Sequence, residues 1–359
     1  MYQDGSRPER DWWQDAQRQE EERRREEKAR RAEEHLTVQR RKAADMTAAL
    51  DRQIRILDGL LTDSLSASPL TFRQLKITVQ LPRFEPGQLG TARPEPEFSQ
   101  FAPRRPSGMS RLVGGKARYE REMRQAERSF AASRTFRRHE EENRRQALAA
   151  ARARYERDVT EAQARFTPHN IDIDARQAAL ASGDPGTVEW FVGLLLDSSW
   201  YPSAFPRQHH VRYRPEKRDL TVEFELPPPE VIPDEREYRY AEERDEIESL
   251  LRPGSEIRER YARLISCVAL RTLNEVFTAT PADVITAVLF NGRVNGSDKA
   301  TGRPARPHLI SVRAERLAFM EVELARVDAT ACLKKHLLGR VSPEPLDLEG
   351  VEPITRFRP

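Results

Sequence analysis

The chain has 359 residues, 33% charged and 38% hydrophobic, with mean hydropathy −0.76 and net charge +3. That length allows two or three domains, and the polarity argues against one large globule. No apolar run approaches the ~18 residues of a membrane-crossing helix, and the start, MYQDGSRPERDWWQD, lacks the basic-then-apolar pattern of a secretory signal.

The charge is unevenly spread. Residues 103–166 hold 17 lysines and arginines against 9 acids, net +8, whereas residues 167–359 are net −5. The two cysteines, Cys267 and Cys332, fall on apolar helical faces without short-spaced partners. They read as reduced, buried thiols of a cytoplasmic protein, not as a disulfide framework or a metal site.

In chain order, residues 1–64 read as one long charged helix. No proline stands between Pro8 and Pro69, and Glu and Arg/Lys recur at i, i+4. Ala43, Met46, Leu50, Ile54, Leu57 and Leu61 step by three and four, the spacing of a coiled-coil seam. Residues 65–110 carry seven prolines and read as a linker with one half-buried strand, in which Leu75, Ile77, Val79 and Leu81 alternate. Residues 111–166 predict a second long helix with its own seam, including Tyr119, Met123, Ala126 and Phe130. Two seamed helices of similar length are most simply satisfied by packing on each other or by self-association.

Residues 167–345 predict an α+β domain with a mostly antiparallel sheet. A short helix leads to a Gly-Asp-Pro-Gly break and an apolar helix around Val188–Leu196. Val211 and Tyr213, then Leu220, Val222, Phe224 and Leu226, alternate across PEKRD as a hairpin. An amphipathic helix follows, carrying Tyr261, Leu264, Val268 and Phe277. VITAVLFNGRV, HLISVRA and LAFMEVELARV predict three further strands, and DATACLKKHLL a last helix. Residues 346–359 read as an extended tail.

Catalytic patterns are sparse. Asp63 followed by Gln74-Leu75-Lys76 loosely matches the Asp…Gln-x-Lys of a metal-dependent nuclease core, but Asp63 closes a helix and Pro69 intervenes. His209-His210 lacks the carboxylate spacing of a metal site, and no phosphate-binding glycine loop or nucleophile elbow occurs. No catalytic and no metal residue is therefore assigned. The strongest feature is the arginine stripe of the second helix. Arg118, Arg121, Arg124, Arg128, Arg134, Arg137, Arg138, Arg144 and Arg145 are candidate DNA contacts, joined by Arg293, Lys299 and Arg303 of a Gly-rich loop. The same stripe also fits a solvated coiled-coil face.

RQHHVRYRPEKRDLTVEFELPPPEVIP, the strands VITAVLFNGRVNG and HLISVRAERLAF, and LARVDATACLKKHLLGRVSPEPLDLEGVEPI carry a resemblance covering roughly residues 185–359. They look like the region upstream of the nuclease domain in Mrr-type restriction endonucleases. In that family the chain continues into a catalytic fold using Asp and Gln-x-Lys with Mg²⁺, and no such residues can be carried over here. The resemblance implies a non-catalytic, DNA-associated front portion that positions a nuclease domain, supplied in trans, with no cofactor of its own. The alternative is a coiled-coil adaptor binding a protein partner, with no DNA role.

Overall fold

The computed structural model describes residues 7–78, 82–104, 115–297 and 301–354. It is an α+β protein of two compact units. One comprises residues 1–71 and 176–359, the other residues 72–175.

The first unit begins with helix α1 (Arg7–Asp58) and a short α2 (Leu60–Leu65). The expected seam exists: Ala43, Ile54, Leu57 and Leu61 are each less than 10% exposed. Its partner is the finding. Thr47 exchanges hydrogen bonds with the backbone of Tyr238, accepting from its N–H at 2.9 Å and donating to its carbonyl at 3.2 Å. Arg40 pairs with Glu242, and His35 meets Asp245 at 2.6 Å. These partners belong to a hairpin of β3 (Glu235–Ala241) and β4 (Glu246–Leu251). Lower down, Gln53 donates to the Val231 carbonyl, and Asp58 holds Arg260 of helix α6 (Gly254–Ala279) at 2.8 Å. The α1 seam is therefore filled by a β-hairpin and a globular helix of its own unit, not by a coiled-coil partner.

The remainder of this unit is a five-stranded sheet of order β1-β2-β5-β8-β9. Its members are β1 (His209–Arg214), β2 (Asp219–Glu225), β5 (Ala287–Arg293), β8 (His308–Glu315) and β9 (Arg340–Val341), and a separate short pair, β6 (Gly296–Ser297) and β7 (Pro304–Ala305), falls between β5 and β8 in the chain. β2 and β5 run parallel and the other pairs antiparallel. A parallel pair needs a long crossover, here the β3–β4 hairpin plus α6. Helix α5 (Pro185–Ser198) packs on β1, while α6 contacts β5 and β8. Leu220, Val222, Val288, Phe290, Ile310 and Val312 are at 0% exposure. These residues share one face by the strand period of two, so the core lies between that face and the helices.

The Gly-Asp-Pro-Gly break is present. Gly183 takes φ +76, which a side chain rarely tolerates, and Asp184 N–H bonds back to Ala179, closing helix α4 (Gly115–Ala181). Asp184 then caps α5, accepting from Thr187 N–H at 2.8 Å, with Pro185 at its first position.

Two local expectations fail. LAFMEVELARV forms no strand: its start lies in α7 (Arg316–Met320), because the Arg316 guanidinium caps the carbonyls of Phe277 and Ile285 and draws the chain off the sheet edge. The short helix after Thr167 is also not separate. α4 runs through Pro168 on its exposed side, where the Thr167 hydroxyl bonds the Gln163 carbonyl at 2.9 Å.

The second unit corrects the reading of residues 65–110 as a linker. α3 (Phe72–Leu75) is a helical turn where a strand was expected, and Val79 and Leu81 lie outside the described residues. The Pro-rich segment is a packed strap running antiparallel to α4. Asn170 brackets Ile77, its side chain accepting from the backbone N–H at 2.9 Å and donating to the carbonyl at 3.0 Å. Farther along, Phe84 contacts Tyr155, Arg144 donates to the Leu89 carbonyl, and Phe98 and Phe101 both close on Phe130. From Phe84 to Phe101 the strap follows α4 from Tyr155 back to Phe130, about 38 Å of helix axis. That is about 2.2 Å per strap residue, between a 3-10 helix and polyproline II. Two 3-10 turns, Gly87–Gly90 and Phe98–Gln100, shorten it accordingly.

The seam of α4 has the period this partner requires. The half-buried or buried positions Tyr119, Met123, Ala126, Phe130, Leu148, Tyr155, Val159, Ala162, Phe166 and Ile173 complete about fifteen turns at about 3.6 residues per turn. A strict heptad stripe would drift about 20° per heptad, about 150° over that length, and would require a supercoil. The observed stripe stays on one side of a straight helix, where an extended strap can lie along it.

Candidate nucleic-acid interface

The second unit carries the basic character. Residues 72–175 hold 21 lysines and arginines against 14 acids, net +7. Because the strap occupies the seam, α4 presents its opposite side outward. At 100° per residue, Arg121, Arg124 and Arg128 fall within about 60° of each other on that outward side, and Arg138 adjoins them. All four are exposed, and among the described residues none is paired with a carboxylate.

The other expected contacts behave differently. Arg118 pairs with Glu122 at 2.8 Å and Arg137 with Glu140 at 2.8 Å. Arg134 lies 5.7 Å from the centre of the Phe130 ring. Arg144 grips Glu141 with two bonds, at 2.7 and 2.8 Å, while also holding the strap through Leu89. Arg145 adds a third bond to Glu141 at 2.9 Å. Arg144 is thus a strap clamp, not a free cation.

A groove of about 400 Å³ between strap residues 92–96 and α4 gathers Arg93, Arg134, Arg137, Arg138 and Arg145, together with Glu95, Glu141 and Glu142. The three carboxylates offset much of its charge. Arg293 and Arg303 belong to the first unit and the α4 set to the second, and Lys299 lies outside the described residues.

The bonds from Arg144 and then Arg145 hold the Glu141 carboxyl down to about 2. An unfolded glutamate titrates near 4.3. A depressed pKa gives stability that is present above the unfolded value and lost as pH falls toward 2. Glu141→Gln is therefore expected to melt below the parent at pH 6–7, and the two curves are expected to converge by about pH 2. Helix signal followed against temperature at each pH checks this.

The discounted motif residues have structural partners. Lys76 pairs with Asp174 at 2.5 Å, and Asp63 lies in the first turn of α2. His209 is tucked against Phe224, ring centroids 6.5 Å apart, whereas His210 faces the other side of the sheet. Among the described residues no group of three or more His, Cys, Asp or Glu could hold a metal ion, and no helix is long and apolar enough to cross a membrane. Burial pushes the Cys267 thiol up to about 11 and raises Cys332 as well, so both are protonated at neutral pH.

Sequence reasoning missed a second concave surface, on the sheet face away from α5 and α6. It is a groove of about 600 Å³ with strand residues His210, Arg212, Glu223, Asn291, Arg293 and His308 on its walls. The signal was available. These residues alternate with Val211, Val222 and Phe290, the set that defined the strands, and so form the opposite face.

No family model, no curated protein and no solved structure matches this chain.

Proposed function

We propose that this protein associates with duplex nucleic acid through the outward arginine face of α4, gripping the phosphate backbone without reading base sequence. One observation carries the reading: Arg121, Arg124 and Arg128 stand exposed and, among the described residues, without a carboxylate partner on one flank of a straight, strap-braced helix in a unit of net charge +7, with Arg138 beside them at the rim of the strap groove. Arginine holds phosphate oxygens bidentately, and a row of them releases the counterions condensed on DNA. Contacts of this kind position a protein and carry no sequence information. The finer reading, inherited from the resemblance above, is a non-catalytic front portion of an Mrr-type restriction system that places a nuclease supplied by another domain or chain.

The test is fluorescence anisotropy of labelled 30-base-pair duplexes of unrelated sequence, titrated with the full chain at low salt. Similar affinities across sequences support the reading. Absence of binding at 50 mM salt overturns it and favours the adaptor alternative, in which the same helix meets a protein partner.

A further inference from the structure

The polar face of the five-stranded sheet is built as a site, not merely solvated. The central row runs across four strands in register: His210 opposite Glu223, Glu223 opposite Asn291, Asn291 opposite Ser311. Its acid is pinned by protein donors. Asn291 donates to Glu223 at 2.7 Å, and His308 lies 3.3 Å from its other oxygen. Burial works against ionisation of this carboxyl, but the bonds from His308 and Asn291 prevail and hold its pKa below the ordinary value. Ser311 donates to Asn291 at 2.6 Å and accepts from the Ile354 N–H at 2.8 Å, which fixes a residue of the C-terminal segment on the groove wall.

The cations of this face are not all held in ion pairs, although the charge of Arg293 helps to keep Glu223 ionised. Arg214 is bound to Asp219 at 2.7 Å, but Arg212 is exposed without an acid partner among the described residues. The Nε of Arg293 is shut off from solvent and meets no acceptor. The outer guanidinium nitrogens are not enclosed in this way: Arg293 lines the groove and, among the described residues, its side chain makes no ion pair or hydrogen bond, so this end is open to an acceptor from outside. From strand spacing and rise, the Cα atoms of Arg212 and Arg293 lie roughly 16 Å apart on the sheet. That leaves room between the two guanidinium groups for more than one phosphate. Ile354 supplies an apolar surface on the groove wall, and Leu289 lies beneath the floor in the cross-strand row of Arg212.

We propose that this groove binds a nucleoside monophosphate or an organic phosphate of the same build. Arg293 holds the phosphate, since a planar guanidinium matches its oxygens. The ionised Glu223 accepts hydroxyl hydrogens from the sugar. The flat base lies at the Arg212 end of the groove, with the Arg212 guanidinium against it. The volume falls in the range of small-molecule sites.

Titration calorimetry with adenosine 5′-monophosphate on the full chain tests this. Saturable binding is expected, at least tenfold weaker for adenosine, displaced by millimolar inorganic phosphate, and at least tenfold weaker in Arg293→Gln. Arg212 is exposed, so Arg212→Gln keeps the fold and provides a second check, with an expected loss of about threefold or more. A chain altered at Arg121, Arg124, Arg128 and Arg138 is expected to bind the nucleotide like the parent, which separates this site from the α4 face. The proposal is overturned by absence of binding at millimolar nucleotide, by equal affinity for adenosine, or by unchanged affinity in the Arg293 and Arg212 variants.

Discussion

Changing Arg121, Arg124, Arg128 and Arg138 together to glutamine is expected to weaken binding to random-sequence duplex DNA about three-thousandfold near 0.1 M salt. Each neutralised phosphate contributes about 0.9 to the slope of log affinity against log salt, and that contribution fades toward 1 M. Four contacts therefore account for a slope of about 3.6, or about three and a half decades at 0.1 M. The fold is expected to be unaffected. These side chains are exposed and unpaired among the described residues, and such surface changes stay within about 0.5 kcal/mol. Arg144 makes the contrast. Arg144→Gln removes the clamp on Glu141 and Leu89, so its effect is expected in melting temperature ahead of DNA affinity.

Phe290→Ala is expected to cost about 3–5 kcal/mol in urea unfolding, the usual price of emptying a buried aromatic position. Phe290 is fully buried in β5, and its ring lies 5.9 Å from that of Phe224 on the neighbouring strand. Gly292, two residues on, packs against the same ring: a Cβ there would meet Leu226 at 2.8 Å and Phe290 at 3.0 Å. Against a typical total of about 5–15 kcal/mol, the loss removes between about a fifth and all of the stability. Leu317→Ala is the control. Leu317 is 85% exposed, and its loss is expected to change the unfolding free energy by less than about 0.5 kcal/mol.

The sequence was informative wherever a single period governs burial. The two long helices, the β1–β2 hairpin, α5, α6 and strands β5 and β8 all follow from apolar steps of two or of three and four. It was uninformative about what fills a seam, because a helix stripe looks alike whether another helix, a hairpin or an extended strap covers it. The period could have helped: at about 3.6 the α4 stripe suits a straight partner, and the aromatics Phe84, Phe98 and Phe101 within the Pro-rich segment were the residues available to provide it. The β3–β4 hairpin stayed hidden for a different reason. EREYRYAEERDEIESLL is so charged that its pairing is stabilised mainly by lying against α1, a contact distant in sequence. The arginine stripe was legible as charge, but its division into ion-paired, strap-holding and free members required coordinates. The groove on the sheet was overlooked because its polar residues were read only as spacers between core residues.

The most direct test of the central claim is the salt dependence of duplex DNA binding by the unaltered chain between 50 and 200 mM. A log–log slope of about −3.6 or steeper, reduced by about that amount in the four-arginine variant, is the expected result. A slope near zero, or one identical in the variant, would contradict the assignment of the α4 face to phosphate contact.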